Sequence, residues 1–186
     1  MSKKVLVPLA RGFEEIEFVS IVDVLRRARL EVITACLDDE PLVRGAHGIE
    51  IRADSKLSAL KVGEFEAIAL AGGYEGMLNL KASKLVLEAL RELHSQKKLV
   101  AAICASPIVL DAAGVLSGKF SAYPGCEQGL NGSYVKSAVV CEGKLITAAG
   151  PAVAVLFALE LVRALCDDKL YESLKGELLV DLLQSS

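Results

Sequence analysis

The chain has no C-x-x-C pair and no histidine cluster. Its five cysteines (Cys36, Cys104, Cys126, Cys141, Cys166) are an odd number, and its two histidines, His47 and His94, lie far apart. A disulfide framework and a zinc site are therefore not expected, no metal or cofactor is implied, and a reducing cytoplasmic setting is the natural one. A charge excess is missing too. With 21 basic and 24 acidic residues spread along the chain and a net charge of -3, nothing steers it toward nucleic acid or an anionic membrane surface. No apolar run approaches the roughly eighteen residues of a membrane span, so the mean hydropathy of +0.44 reads as buried strands. The basic start and the short stretch Val5–Ala10 look like a signal peptide, but the stretch is too short and is closed by Arg11, Glu14 and Glu15. There is no G-x-G-x-x-G or Walker pattern, which leaves a nucleotide site unsupported. Without repeats, low-complexity tracts or linkers, residues 1–186 fit one domain.

What is there centres on Leu99–Gly114. Five apolar residues, Leu99 to Ile103, read as a buried parallel strand that runs straight into Cys104. Ser106 then reads as an N-cap and Pro107 as a first helical residue, because the N–H that proline lacks is one a helix start leaves unpaired. The cysteine sits on a strand-to-helix corner. The positive end of the helix under its sulfur would favour the thiolate, which is the reactive form. The plainer reading is a small hydrophobe closing a buried strand.

In chain order, Lys3–Ala10 reads as a strand closed by Arg11-Gly12-Phe13, and Glu14–Arg29 as a helix with Ile16, Val19, Ile21 or Val22, and Leu25 at helical spacing. Glu14, Glu15 and Glu17 suit the positive helix start. Glu17, one turn inside, can also point back over the sheet. Leu30–Leu37 is a second strand and Val43–Ile51 a small β excursion, in which His47 reads as a surface residue. Leu57–Leu60 is at most a short helix. Phe65–Ala71 is a third long strand ending in Gly72-Gly73, either a plain tight turn or a nest of exposed N–H groups for an anion. Ser83–His94 reads as an amphipathic helix with Leu85, Leu87, Leu90 and Leu93 inward and His94 at its negative end. Beyond the Cys104 helix come a loop, Lys119–Gly132, carrying Tyr123, Pro124 and Cys126, and a hairpin about Glu142-Gly143. Gly150-Pro151 precedes an apolar helix, Ala152–Cys166, and a last helix over Asp168–Leu183 is interrupted by Gly176.

Alternating strands and helices predict an α/β sandwich with a mostly parallel sheet, whose ligands bind at the carboxyl ends of strands. Glu17, Gly72-Gly73 and Cys104 follow three different strands and would meet at that edge.

The segments Leu9-Ala-Arg-Gly12-Phe-Glu-Glu-Ile-Glu17, Asp23-Val-Leu-Arg-Arg-Ala28, Ala71-Gly72-Gly73, Ala101-Ala-Ile-Cys104-Ala-Ser-Pro107 and Gly150-Pro151 resemble the ThiJ/PfpI superfamily across essentially the whole chain. The match is closest to its branch of YajL-like, cysteine-dependent deglycase and stress-response proteins. That resemblance implies a flavodoxin-like three-layer α/β/α sandwich, a homodimer, a nucleophile elbow at Cys104, and a protonated Glu17 hydrogen-bonded to its sulfur. It implies attack of Cys104 on methylglyoxal or glyoxal, free or as adducts on glycated proteins. The oxyanion would face Gly72, Gly73 and Ala105, with Glu14, Tyr123 and Pro151 around the substrate. The alternative it offers is a noncatalytic redox sensor or chaperone working through Cys104 oxidation. Departures narrow the field. Tyr123 stands where relatives often carry a histidine and Ala149 where Arg or Gln is common. Ala105 occupies the position of a histidine in the protease-like branch, which removes a Cys-His peptidase. His47 and His94 both precede the elbow, which removes a glutamine amidotransferase.

Overall fold

Buried apolar strands separated by amphipathic helices leave the backbone one economical solution, a parallel sheet covered on both faces. The computed structural model describes residues 3–184, so the first two residues of the leader-like start lie outside it. Its elements are β1 (Lys4–Leu9), α1 (Glu15–Arg27), β2 (Glu31–Cys36), β3 (Leu42–Arg44), β4 (Glu50–Arg52), β5 (Ser55–Lys56), β6 (Ala67–Leu70), α2 (Tyr74–Ala82), α3 (Lys84–Ser95), β7 (Leu99–Ile103), α4 (Pro107–Ala112), β8 (Lys119–Phe120), β9 (Ser133–Tyr134), β10 (Val139–Glu142), β11 (Leu145–Ala148), α5 (Ala154–Leu165) and α6 (Asp168–Glu177). Seven strands form one sheet in the order β10-β11-β7-β6-β1-β2-β5. All neighbours are parallel except the edge pair β10–β11. Helix α5 packs on both α1 and α6, and α2, α3 and α4 pack on one another, giving the two outer layers of a flavodoxin-like sandwich. In β6 and β7 every residue is buried, as strands covered on both faces must be.

Several expectations shift. Helix α1 starts at Glu15, with Glu14 as its N-cap, and buries Phe18, Ile21, Val24 and Leu25 while Ile16 and Val19 stay exposed. Helix α2 was not expected: Gly72-Gly73 is the entrance to a helix rather than a bare turn. Helix α3, capped by the Ser83 side chain, buries Val86, Ala89, Leu90 and Leu93, and Leu85 points outward. The helix expected from Ala152 opens as a 3-10 turn over Pro151–Val153. Gly176 lies inside α6 rather than breaking it, and the helix expected to reach Leu183 ends at Glu177. The expected 119–132 loop is bracketed by the short parallel pair β8–β9.

Candidate active site

Cys104 is the first residue past β7 and holds a left-handed backbone, φ 66. A non-glycine residue there costs about 1–3 kcal/mol and persists only when its surroundings fix it. They do. Its N–H donates to the Ala148 carbonyl at 2.9 Å, and its own carbonyl accepts the Tyr123 N–H at 2.8 Å. The turn puts the side chain at the carboxyl edge of the sheet, 9 % exposed. Ser106 does not cap α4 with its side chain as expected. Its hydroxyl donates to the Ala71 carbonyl at 2.6 Å, tying the elbow to the end of β6. Pro107 takes the predicted first helical position.

Glu17 reaches the same point from α1. It is fully buried, and its Oε2 accepts the Gly72 N–H at 2.6 Å. A Cβ added to Gly72 would lie 2.6 Å from Cys104 Cβ, 2.7 Å from Glu17 Oε2 and 3.1 Å from Cys104 Sγ, so acid and sulfur meet across a glycine that has no room for a side chain. Gly73 is equally constrained: at φ 88, its added Cβ would sit 2.3 Å from the Gly12 carbonyl oxygen. The N–H groups of Gly73 and Ala105 point at the sulfur. The Gly72 N–H is taken by Glu17, which corrects its assignment to the oxyanion.

The electrostatics differ from the helix-dipole expectation. Burial, and after it the negative charge of Glu17, push the Cys104 thiol up to about 12, against the pull of the Gly73 and Ala105 N–H groups. Helix α4 has only six residues, too short to outweigh that. Burial likewise pushes the Glu17 carboxyl up to about 7. The two titrate as one unit. Glu17 Oε1 is buried without a hydrogen-bond partner among the described residues. A proton on the carboxyl removes the charge that holds the thiol up and lets the Glu17–Cys104 hydrogen bond run from carboxyl to sulfur, so the thiolate belongs to the state in which Glu17 is neutral.

Glu14 lies one turn away, its Oε2 accepting the Glu17 N–H at 2.8 Å. Tyr123, half exposed, lays its ring against Gly150, whose added Cβ would be 3.2 Å from Tyr123 Cδ2, and Pro151 follows directly. The fold thus gathers Cys104, Glu17, Gly72, Gly73 and Ala105, with Tyr123 joined through the Cys104 carbonyl. His47 lies on the surface, as the sequence predicts, and its N–H and Nδ1 also meet the Glu15 carboxylate at 2.6 and 2.8 Å, a pairing created when β3 and β4 fold back on α1. A separate groove of about 730 Å³, lined among others by Leu9, Arg11, Leu37 and Arg44, does not include Cys104.

Comparison with known proteins decides the lineage. The model of the DJ-1/PfpI family matches residues 3–164. The chain belongs to the DJ-1/PfpI family. It is 41% identical over 181 residues to the protein dj-1beta of Drosophila melanogaster, covering 95% of this chain and 97% of that one. The crystal structure of that Drosophila protein superposes with a TM-score of 0.91, covering 96% and 98% of the two chains. The Parkinson disease protein 7 homolog of Danio rerio is 36% identical over 184 residues, covering 96% of this chain and 97% of that protein. The Toxoplasma gondii DJ-1, solved in an oxidized form, gives a TM-score of 0.87 at 37% identity over 96% of this chain and 98% of the other. Within the DJ-1/PfpI frame, no helix among the described residues is long and apolar enough to cross a membrane.

Proposed function

We propose that the protein is a cysteine-dependent deglycase and glyoxalase-like enzyme that acts on methylglyoxal or glyoxal, free or as early adducts on proteins. The observation that carries this reading is the convergence on one sulfur of a buried carboxyl that titrates near neutrality and two backbone donors. Attack of the Cys104 thiolate on the aldehyde carbon forms a C–S bond as the C=O π pair moves to oxygen. The Gly73 and Ala105 N–H groups face that oxyanion, and Glu17 gives it a proton. As a carboxylate, Glu17 then takes the C–H proton of the hemithioacetal and returns it to the neighbouring carbonyl carbon through an enediol, while the hemithioacetal hydroxyl proton passes to the neighbouring carbonyl oxygen, so that the first carbon becomes the C=O of a thioester. Water cleaves the thioester, releasing lactate from methylglyoxal or glycolate from glyoxal and restoring the thiol. An acid with a pKa near 7 suits both roles at neutral pH.

The test is lactate release from methylglyoxal. Wild-type protein is expected to exceed Cys104→Ala by at least about 100-fold, and equal rates would remove the enzyme reading. A second reading, a redox sensor or chaperone, draws on the unpaired Glu17 Oε1: protonated, it can donate to an oxygen of Cys104 sulfinate. Peroxide treatment that oxidises all five cysteines alike would remove it. The exposed Ile16 and Val19 on α1 support assembly as a homodimer. Five free cysteines fit a reducing cytoplasm.

A further inference from the structure

We propose that Glu14 is a positioning residue for Cys104: a closed ring of hydrogen bonds fixes its carboxylate beside Glu17, and its charge governs where the proton shared by Glu17 and the sulfur resides. The ring has three members, each donating to the next. The Gly72 N–H donates to Glu17 Oε2 at 2.6 Å, the Glu17 N–H to Glu14 Oε2 at 2.8 Å, and the Glu14 N–H to the Gly72 carbonyl at 3.0 Å. Gly72 is also the residue across which acid and sulfur meet, since its added Cβ would lie 2.7 Å from Glu17 Oε2 and 3.1 Å from Cys104 Sγ. The side chain of Glu14 therefore acts on the reacting sulfur through Glu17 and one glycine.

Three plainer roles do not account for a glutamate at this position. As the N-cap of α1, Glu14 satisfies a donor that serine, threonine or asparagine would satisfy with no charge. As a partner for the helix dipole it would serve as well in solvent, yet it is 8 % exposed and one turn from a fully buried second carboxyl. Two carboxylates so close and so dry are costly to ionise together. As a partner for His47 it comes second: Nδ1 stands 4.0 Å from Glu14 Oε1 but 2.8 Å from Glu15 Oε2.

The ionisable groups that act on Glu17 are Cys104, from the elbow between β7 and α4, and Glu14, from the start of its own helix. Burial does most to keep the Glu17 proton in place and the Glu14 charge adds to it, against the hydrogen bonds from Gly72 and Cys104. When the pair loses one of its two protons, a charge beside Glu17 favours the arrangement in which the carboxyl keeps its proton and the sulfur carries the negative charge. This role rests on the pairing of Glu17 with Cys104 and not on which aldehyde the sulfur attacks.

The test is the rate of Cys104 alkylation by iodoacetamide between pH 5 and pH 9, followed by peptide-mapping mass spectrometry in wild type, Glu14→Gln, Glu14→Ser and Glu14→Asp. Glutamine and serine keep an acceptor for the Glu17 N–H without the charge, and aspartate keeps both, so the helix start is capped in every variant. His47 is common to all four proteins, and its own titration cancels in the comparison. Glu14→Gln and Glu14→Ser are expected to react at least about threefold more slowly at pH 8, with the midpoint of the pH profile moved to lower pH, while Glu14→Asp stays within about twofold of wild type. Wild-type rates and profiles in Glu14→Gln and Glu14→Ser would overturn the proposal. So would an equal loss in all three variants with an unmoved midpoint, the result of a purely structural cap. Lactate release plays no part in this readout, so a protein inactive on methylglyoxal removes the enzyme reading and leaves the role of Glu14 to be decided by alkylation.

Discussion

Glu17 and Cys104 form a proton-sharing pair, and their chemistry can be tested one atom at a time. Glu17→Leu keeps the sulfur buried but removes its donor. A hydrogen bond to a charged group is worth about 1.5–3 kcal/mol, so the rate of Cys104 alkylation by iodoacetamide at pH 7 should fall by about tenfold or more. Glu17→Gln retains an N–H donor and should stay within about threefold of wild type. The same carboxyl makes stability depend on pH. Its folded pKa is about 7 against an ordinary value of 4.5, so the folded state holds a proton that the unfolded chain gives up. That contribution is intact below pH 4.5 and is lost as pH rises through 7, about 3 kcal/mol in all. Glu15 and Asp54 are held below their ordinary values, and their contributions run the other way, fading as pH falls. The comparison that isolates Glu17 is therefore wild type against Glu17→Gln in urea. The wild-type midpoint should drop relative to the variant between pH 5 and pH 8, and parallel curves would contradict the burial argument.

The elements that position this pair were legible in the sequence to different depths. The core strands, α1, the elbow and α4 were readable because each carries a local signal: a continuous apolar run, acidic residues at a helix start, proline at the first helical position. Helix α2 was not, since its entrance is the glycine pair, which reads equally well as a turn, and the nine residues that follow carry little amphipathic pattern. Of the four leucines expected inward on α3, Leu90 and Leu93 are buried and Leu87 packs partly on the core, while Leu85 is exposed because the 3.6-residue face runs through Val86, Ala89, Leu90 and Leu93. Two tests belong here. Ser106→Ala leaves the Ala71 carbonyl buried without its 2.6 Å donor, and should cost about 1–3 kcal/mol in urea denaturation. Gly73→Ala combines positive φ with a Cβ only 2.3 Å from a backbone oxygen. It should destabilise by more than about 3 kcal/mol, or fail to yield folded protein by circular dichroism.

At the scale of the whole molecule, the site is a product of topology. Glu17 and Gly72 are 55 positions apart in the chain, and the order β11-β7-β6-β1 brings the ends of their strands to one edge. The sequence rule for parallel sheets was enough to gather Glu17, the glycine pair and Cys104. It was silent on burial, which is why the thiol's raised proton affinity was not foreseen, and on the fold-back of β3 and β4 that gives His47 its partner. The outer surface adds one more expectation: if α1 pairs two copies, Ile16→Glu with Val19→Glu should convert a dimer to a monomer in size-exclusion chromatography coupled to light scattering. The central claim, that architecture rather than accessibility makes Cys104 the reactive sulfur, is tested most directly by peptide-mapping mass spectrometry after brief exposure to methylglyoxal. Cys104 is buried whereas Cys141 and Cys166 are exposed, so modification of Cys104 ahead of those two is the predicted result. Modification that follows exposure and spares Cys104 would contradict it.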